Sequence, residues 1–213
     1  MNFGIRRPSD NPGWVIDRTA RGGLIACVVL CAATSVLPVH AAQPGWNLER
    51  LVAALAARPE GSARYTEIRT MKILTAPVRS SGVLRYRQPD TLEKQVISPR
   101  AELMRVEGDR VMIDDGTSAA PRVVFLAEHP EVGVLIESIR APLTGNLLKL
   151  NALFQASLGG SERRWLLSLV PRSPRAAELV RVVYVRGSGD RVTGIEIEER
   201  NGDRSVLHIE ALP

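Results

Sequence analysis

The run Gly82-Val83-Leu84-Arg85-Tyr86-Arg87-Gln88-Pro89-Asp90 alternates apolar and charged side chains and then breaks at a proline corner. In an extended chain successive side chains point to opposite faces, so Leu84 and Tyr86 lie on one face and Arg85 and Arg87 on the other. The pattern recurs along most of the chain. Extended runs are expected over 63–76, 80–87, 91–98, 102–107, 110–114 and 122–126, and again over 154–158, 163–170, 180–186, 191–199 and 205–210. Polar turns separate them: Ala76-Pro77, Gln88-Pro89-Asp90, Ser98-Pro99-Arg100, Glu107-Gly108-Asp109, Gly159-Gly160, Gly187-Ser188-Gly189-Asp190 and Asn201-Gly202-Asp203. Proline, glycine and Asx residues are the natural turn formers, and Asn-Gly is a strong hairpin signal. Strands spaced this closely, with no helix between them, pair antiparallel.

Helical signals appear in four segments. Asn47 can cap a helix carrying Leu48, Leu51, Val52 and Leu55, which ends at Arg58-Pro59. From Glu131 the apolar residues Val132, Leu135, Ile136 and Ile139 fall at i, i+3, i+4 and i+7, and Pro142 stops the run. Thr144 then caps a second short helix through Leu147 and Leu148. A one- or two-turn helix begins at Pro174 and reaches Leu179. The fold class is therefore α+β, with two antiparallel meanders and a helical insert at about 130–152 placed to act as a lid.

The N-terminal segment reads as an export signal. Arg6, Arg7, Arg18 and Arg21 make a basic start, Leu24 to Val39 is apolar, and Val39-His40-Ala41 supplies small residues for cleavage after Ala41. The apolar run is about 16 residues, short of the ~20 that span a bilayer, which favours a cleaved signal over an anchor. Both cysteines, Cys27 and Cys31, lie within it. Residues 42–213 are then one domain without cysteine, which excludes disulfides, thiolate metal sites and cysteine nucleophiles. A domain of roughly 170 residues is large enough to stand on its hydrophobic core alone.

The net charge of +5 comes from scattered basic residues interleaved with acids, with no basic run and no aromatic stripe, so a nucleic-acid face is not supported. His129 and His208 are the only histidines past the export segment, too few neighbours for a metal site, and no Gly-x-Ser-x-Gly elbow accompanies them. No metal, no cofactor and no catalytic residues are expected. Glu67, Arg69, Glu93 and Lys94 form the one suggestive charged cluster. It is either a set of cross-strand ion pairs on a wet face or a polar rim touching a ligand head group.

The strand and corner from Gly82 to Pro89, the turn Glu107-Gly108-Asp109-Arg110, and the segments Tyr65-Thr66-Glu67-Ile68-Arg69 and Pro89-Asp90-Thr91-Leu92-Glu93-Lys94 resemble the LolA-type outer-membrane lipoprotein carriers, and more closely their divergent LolA-related branch. The order helix, meander, helical insert, meander matches that family over nearly all of residues 46–212. The resemblance implies an incomplete antiparallel β-barrel, a LolA/LolB-like half-barrel with an N-terminal helix and a helical lid over an apolar cavity. It also implies a non-enzymatic periplasmic carrier, working as a monomer, whose partners are the acyl chain of a lipid or lipoprotein and the inner-membrane donor and outer-membrane acceptor proteins. The related branch is associated with fatty-acyl or polyene products.

On this reading Leu84, Tyr86, Leu92, Val96, Met104 and Val106 form a cavity wall and Val132, Leu135, Ile136 and Ile139 the lid. Glu67, Arg69, Arg87, Gln88, Glu93 and Lys94 form a polar rim. The family places a gating arginine just before the corner proline; this chain has Gln88 there, with Arg87 on the opposite strand face. The latch must therefore differ or be absent. The competing reading is an envelope sensor that uses the same fold to bind a protein partner.

Overall fold

The computed structural model describes residues 45–212, so the expected export signal at 1–41 lies outside the described residues. A short helix, α1 (Leu48–Ala56), opens the fold, and the Asn47 side chain caps it by accepting from the Arg50 amide at 2.9 Å. Leu51, Val52 and Leu55 make its buried stripe, the face that the sequence spacing marks.

Eleven strands follow, as many as the alternating runs predict. The first six are β1 (Glu60–Thr70), β2 (Val78–Arg87), β3 (Thr91–Ser98), β4 (Glu102–Glu107), β5 (Arg110–Asp114) and β6 (Arg122–Phe125). The helical insert is α2 (Pro130–Leu143) and α3 (Leu147–Leu153). Then come β7 (Phe154–Ser161), β8 (Arg164–Pro171), α4 (Pro174–Leu179), β9 (Val180–Ser188), β10 (Arg191–Glu199) and β11 (Arg204–Ala211).

All eleven join one open antiparallel sheet in the order β6-β5-β4-β3-β2-β1-β11-β10-β9-β8-β7. The two meanders meet where β1 pairs with β11, Tyr65 opposite Ile209 and Glu67 opposite Leu207. That seam joins the start of the domain to its end, so neither meander is an independent sheet. The sheet does not close, and β6 and β7 are its edges.

Several local expectations shift. Pro142 lies inside α2 instead of ending it, and Thr144 is the C-cap of that helix. Asn146 caps α3 instead, accepting from the Lys149 amide at 2.9 Å. Pro142 deprives the Ser138 carbonyl of its helical amide partner, but it stands next to last in α2, so only the final turn bears the loss. The Gly159-Gly160 pair belongs to β7, and the turn comes later, at Glu162-Arg163.

The helices lie against one face of the sheet, the inner face. The main core joins Leu51, Leu55, Ala141 and Leu150 from the helices to Tyr65, Phe154, Trp165, Leu167, Leu169, Val183, Val185 and Ile195 from the strands. Trp165 is fully enclosed, and its indole N–H donates to the Gly189 carbonyl at 3.0 Å. Gly187 makes room for it: a Cβ there would stand 2.1 Å from the tryptophan ring. A second, smaller core holds Val106, Val111, Leu126 and Ile136 at the far end of β4 and β5.

The outer face is wet and charged. Glu93 sits directly between Arg85 and Arg105 in the cross-strand register and pairs with both. Glu196, nearly enclosed, pairs with Arg186 at 2.8 Å and Arg204 at 2.6 Å. In each case a carboxylate between two half-exposed guanidinium groups is held below the usual range. For Glu93 the Arg105 hydrogen bond is the leading cause. For Glu196 burial pushes upward and the two arginines outweigh it.

Candidate functional site

The strand register decides which of the expected wall residues can act together. Tyr86 lies opposite Leu92 and Leu92 opposite Val106; Leu84 lies opposite Lys94 and Lys94 opposite Met104; Gly82 lies opposite Val96. Directly paired residues share a sheet face, so Leu84, Tyr86, Leu92, Val96, Met104 and Val106 all stand on the inner face. Val111, Ile113 and Val124 extend the same surface across β5 and β6. Val106 and Val111 are buried under Ile136, whereas Leu84, Tyr86, Leu92, Val96, Met104 and Ile113 are only half-buried. An apolar wall thus runs across β2–β6 and is incompletely covered.

The cover is α2. Leu135 and Ile139 pack on the main core and Ile136 on the smaller one, so this helix bridges both. Val132, expected on the same stripe, is exposed, and Val134 is buried in its place. The buried face of α2 has turned because neighbours crowd it from several sides: α1, α3, α4 and β9 all touch it.

Polar contacts tie this cover to the β2–β6 wall. The Tyr86 hydroxyl donates to the Leu143 carbonyl at 3.0 Å. The Gln88 amide donates to the Ala56 carbonyl at 2.9 Å and the Leu143 carbonyl at 3.3 Å, reaching the ends of α1 and α2 together. From the helix side, Arg140 donates to the carbonyls of Gly108 and Asp90, in the turns before β3 and after β4, which lie together at one end of that antiparallel pair. Helix ends expose unpaired carbonyls, and the first two contacts satisfy them.

Gln88, which replaces the family's arginine, therefore reaches across to the helices. The guanidinium in this set comes from α2 and points at the sheet. Arg140 is nearly buried and pairs with Glu137, which also takes Lys149 of α3 at 2.8 Å. The signal for Arg140 was present in the sequence, since it follows Ile136 by four residues and so shares its helix face.

The expected polar rim divides between the two faces. Lys94 and Glu93 are adjacent in β3 and so point oppositely. Glu93 is on the outer face with its two arginines. Arg87 is exposed, and Arg69 pairs with Glu199 at 3.2 Å.

Glu67 and Lys94 meet on the inner face. The Glu67 carboxylate accepts from Lys94 and from the hydroxyls of Ser80 and Ser205. Burial pushes that carboxyl up, but Lys94 and the two hydroxyls outweigh it and hold it below the usual range. Beside them Lys94 stands 5.2 Å from the centre of the Tyr65 ring. Burial drives the Tyr65 phenol up to about 12 against the opposing pull of the nearby Ser80 hydroxyl, with which it makes no well-formed hydrogen bond.

Gly82 allows this arrangement. A Cβ there would fall 1.8 Å from the Gln95 carbonyl and 3.1 Å from the Tyr65 ring. The register slips at the same point, between Ser81 and Gly82.

His208 faces outward, in a depression of about 270 Å³ that Arg64, Thr66, Ser81, Val83 and Ile97 also line. Among the described residues no three histidine, cysteine or acidic side chains gather as a metal-binding group. Nor, among them, is any helix long and apolar enough to cross a membrane.

An open antiparallel sheet with helices over one face, and an apolar wall beneath them, defines a half-barrel of the carrier and binding class. The chain belongs to the family of outer membrane lipoprotein carrier protein LolA-like proteins, whose model matches residues 36–209. No curated protein matches it in sequence. Among solved structures it is similar to a LolA superfamily protein from Nitrosomonas europaea, at 10% identity over 76% of this chain and 89% of that one, with a TM-score of 0.44. A DUF1329 family protein from Desulfovibrio piger is 10% identical over 76% of this chain and 88% of that one, with a TM-score of 0.45. The Pseudomonas aeruginosa MucA/MucB complex contains a chain 13% identical over 78% of this chain and 56% of that one, with a TM-score of 0.38.

Proposed function

We propose that this protein is a non-enzymatic periplasmic carrier that holds an acyl chain between the β2–β6 wall and α2 for transfer towards the outer membrane. The observation that carries the reading is the half-buried apolar wall, Leu84 to Val106, facing a cover held by a few polar contacts. Burying a Leu or Ile side chain is worth about 1.5–3 kcal/mol, so a fatty chain laid on this wall regains what Leu135, Ile136 and Ile139 give up when α2 moves away. A near-balanced exchange of this kind permits both loading and release. Export follows from the leader read in residues 1–41, and the donor and acceptor are an inner-membrane and an outer-membrane protein. The cargo is the acyl group of a lipoprotein or a fatty-acyl or polyene product.

Native mass spectrometry of the protein purified from periplasm, followed by organic extraction, tests this reading. A discrete added mass that extracts as an acyl lipid is the expected result. A protein that carries nothing and takes up no fluorescent fatty acid would overturn it, and capture of a protein partner without lipid would favour the sensor reading.

A further inference from the structure

The inner face of β2–β4 is apolar apart from Lys94 at its centre, Ser80 and Glu102 towards one end, and the Tyr86 hydroxyl, which Leu143 already satisfies. In the register Lys94 sits between Leu84 and Met104, with Leu92 and Val96 on either side along β3. Its one hydrogen-bond acceptor in the structure is Glu67, which already takes the hydroxyls of Ser80 and Ser205. An ammonium carries three N–H donors, so two are left over. The Tyr65 hydroxyl of the same cluster is buried and makes no well-formed hydrogen bond, although the Ser80 hydroxyl lies close to it. The enclosed Tyr65 hydroxyl is the group that calls for an explanation, since buried polar groups are normally paired, while Lys94 keeps some contact with solvent.

The outer-face arginines differ. Arg85, Arg105, Arg186 and Arg204 are each about half exposed, and water supplies their remaining acceptors. The Lys94 side chain is only 26% exposed and is hemmed in by apolar groups on its own face.

Resting on the carrier reading above, we propose that Lys94, with Tyr65, is the head-group anchor of the site. The cargo is then an amphiphile whose polar end is an anionic oxygen group, a carboxylate or a phosphate, with its tail along Leu84, Leu92 and Met104. Glu67 stays in place and charged when Lys94 turns to the ligand, because the two serine hydroxyls continue to hold it. The strength of the acceptor then selects the cargo: an anionic oxygen takes the Lys94 and Tyr65 donors with charge assistance, whereas a neutral acyl ester of the same tail offers only its weaker carbonyl acceptor.

The test compares one tail with three heads on the wild-type protein, by calorimetry with dodecanoate, dodecyl phosphate and dodecanol below their aggregation concentrations. At least one anion is expected to bind about tenfold or more tighter than the alcohol, the difference a charge-assisted hydrogen bond supplies. The stronger of the two names the head. Lys94→Met should collapse that difference, and Lys94→Arg should restore much of it. Equal affinity of the wild-type protein for all three would overturn the anchor and leave the carrier reading standing. Binding of none would overturn both.

Discussion

Strands β7–β9 and strands β2–β4 belong to one sheet, share the same alternation and turn the same face to the helices, but their inner faces are packed differently. On the first flank Phe154, Trp165, Leu167, Leu169, Val183 and Val185 are all buried. On the second, Leu84, Tyr86, Leu92, Val96 and Met104 remain partly exposed. The cause is where the helices rest. Helix α3 packs on β7, α4 on β8 and β9, and α2 on β9. The β2–β4 flank meets the helical layer through individual side chains: Leu84, Tyr86, Gln88, and Ile136 and Arg140 from the helix. One flank is a filled core and the other a partly covered apolar surface, the one on which the proposed acyl chain would lie. An apolar surface kept half-covered has a functional reading that a filled core lacks.

This contrast can be broken first by truncating the same kind of residue on each flank. Trp165→Ala should cost about 3–5 kcal/mol in urea unfolding, the usual loss for a large enclosed side chain. Met104→Ala, on a half-covered surface, should cost about 1 kcal/mol or less. Equal losses would mean that the two flanks are packed alike.

The next effect concerns the cover. Arg140→Met removes the donors to Gly108 and Asp90 and leaves Glu137 with Lys149 alone, which should cost about 2–3 kcal/mol. Hydrogen exchange should then accelerate in β3–β5 and not in β8–β9. Uniform acceleration would show that Arg140 holds the whole domain and not this flank alone.

Acid should act on the seam between the flanks. Glu67 titrates lower in the folded chain than unfolded, so its ionised form contributes stability above the ordinary carboxylate range. That contribution is lost as pH falls through the lowered folded value. Glu67→Gln should flatten the acid limb of the stability–pH curve, and an unchanged limb would remove Glu67 from the account. Tyr86→Phe deletes one bond to Leu143, which Gln88 still reaches, and should cost about 0.5–1.5 kcal/mol. Least of all, Arg85→Ala on the outer face should stay within about 0.5 kcal/mol, as exposed pairs do.

Much of this architecture is legible in the residues. Period-two alternation with proline and glycine turns marks eleven strands, and helical spacing marks Leu48–Leu55 and the insert after Glu131. Each of these rests on interactions within a few residues of chain. Parity along β2 puts Leu84 and Tyr86 on one face, and the same rule separates Glu93 from Lys94, which a charge cluster read only by sequence proximity keeps together. The α2 stripe is legible only in part. Its spacing marks Leu135, Ile136 and Ile139, whereas the exchange of Val132 for Val134 depends on which elements crowd the helix.

The sequence alone determined the strands, most of the turns, the apolar faces of the strands and the family, because backbone sterics and side-chain alternation act locally. Only the tertiary structure decided which half of the sheet the helices fill, that Gln88 and Arg140 link sheet to cover, and that Lys94, paired with Glu67 of β1, is set within a largely apolar wall. Those outcomes depend on contacts between residues far apart in the chain, such as Gln88 with Leu143 and Glu67 with Ser205. No local pattern encodes them; the packing of the whole domain selects them.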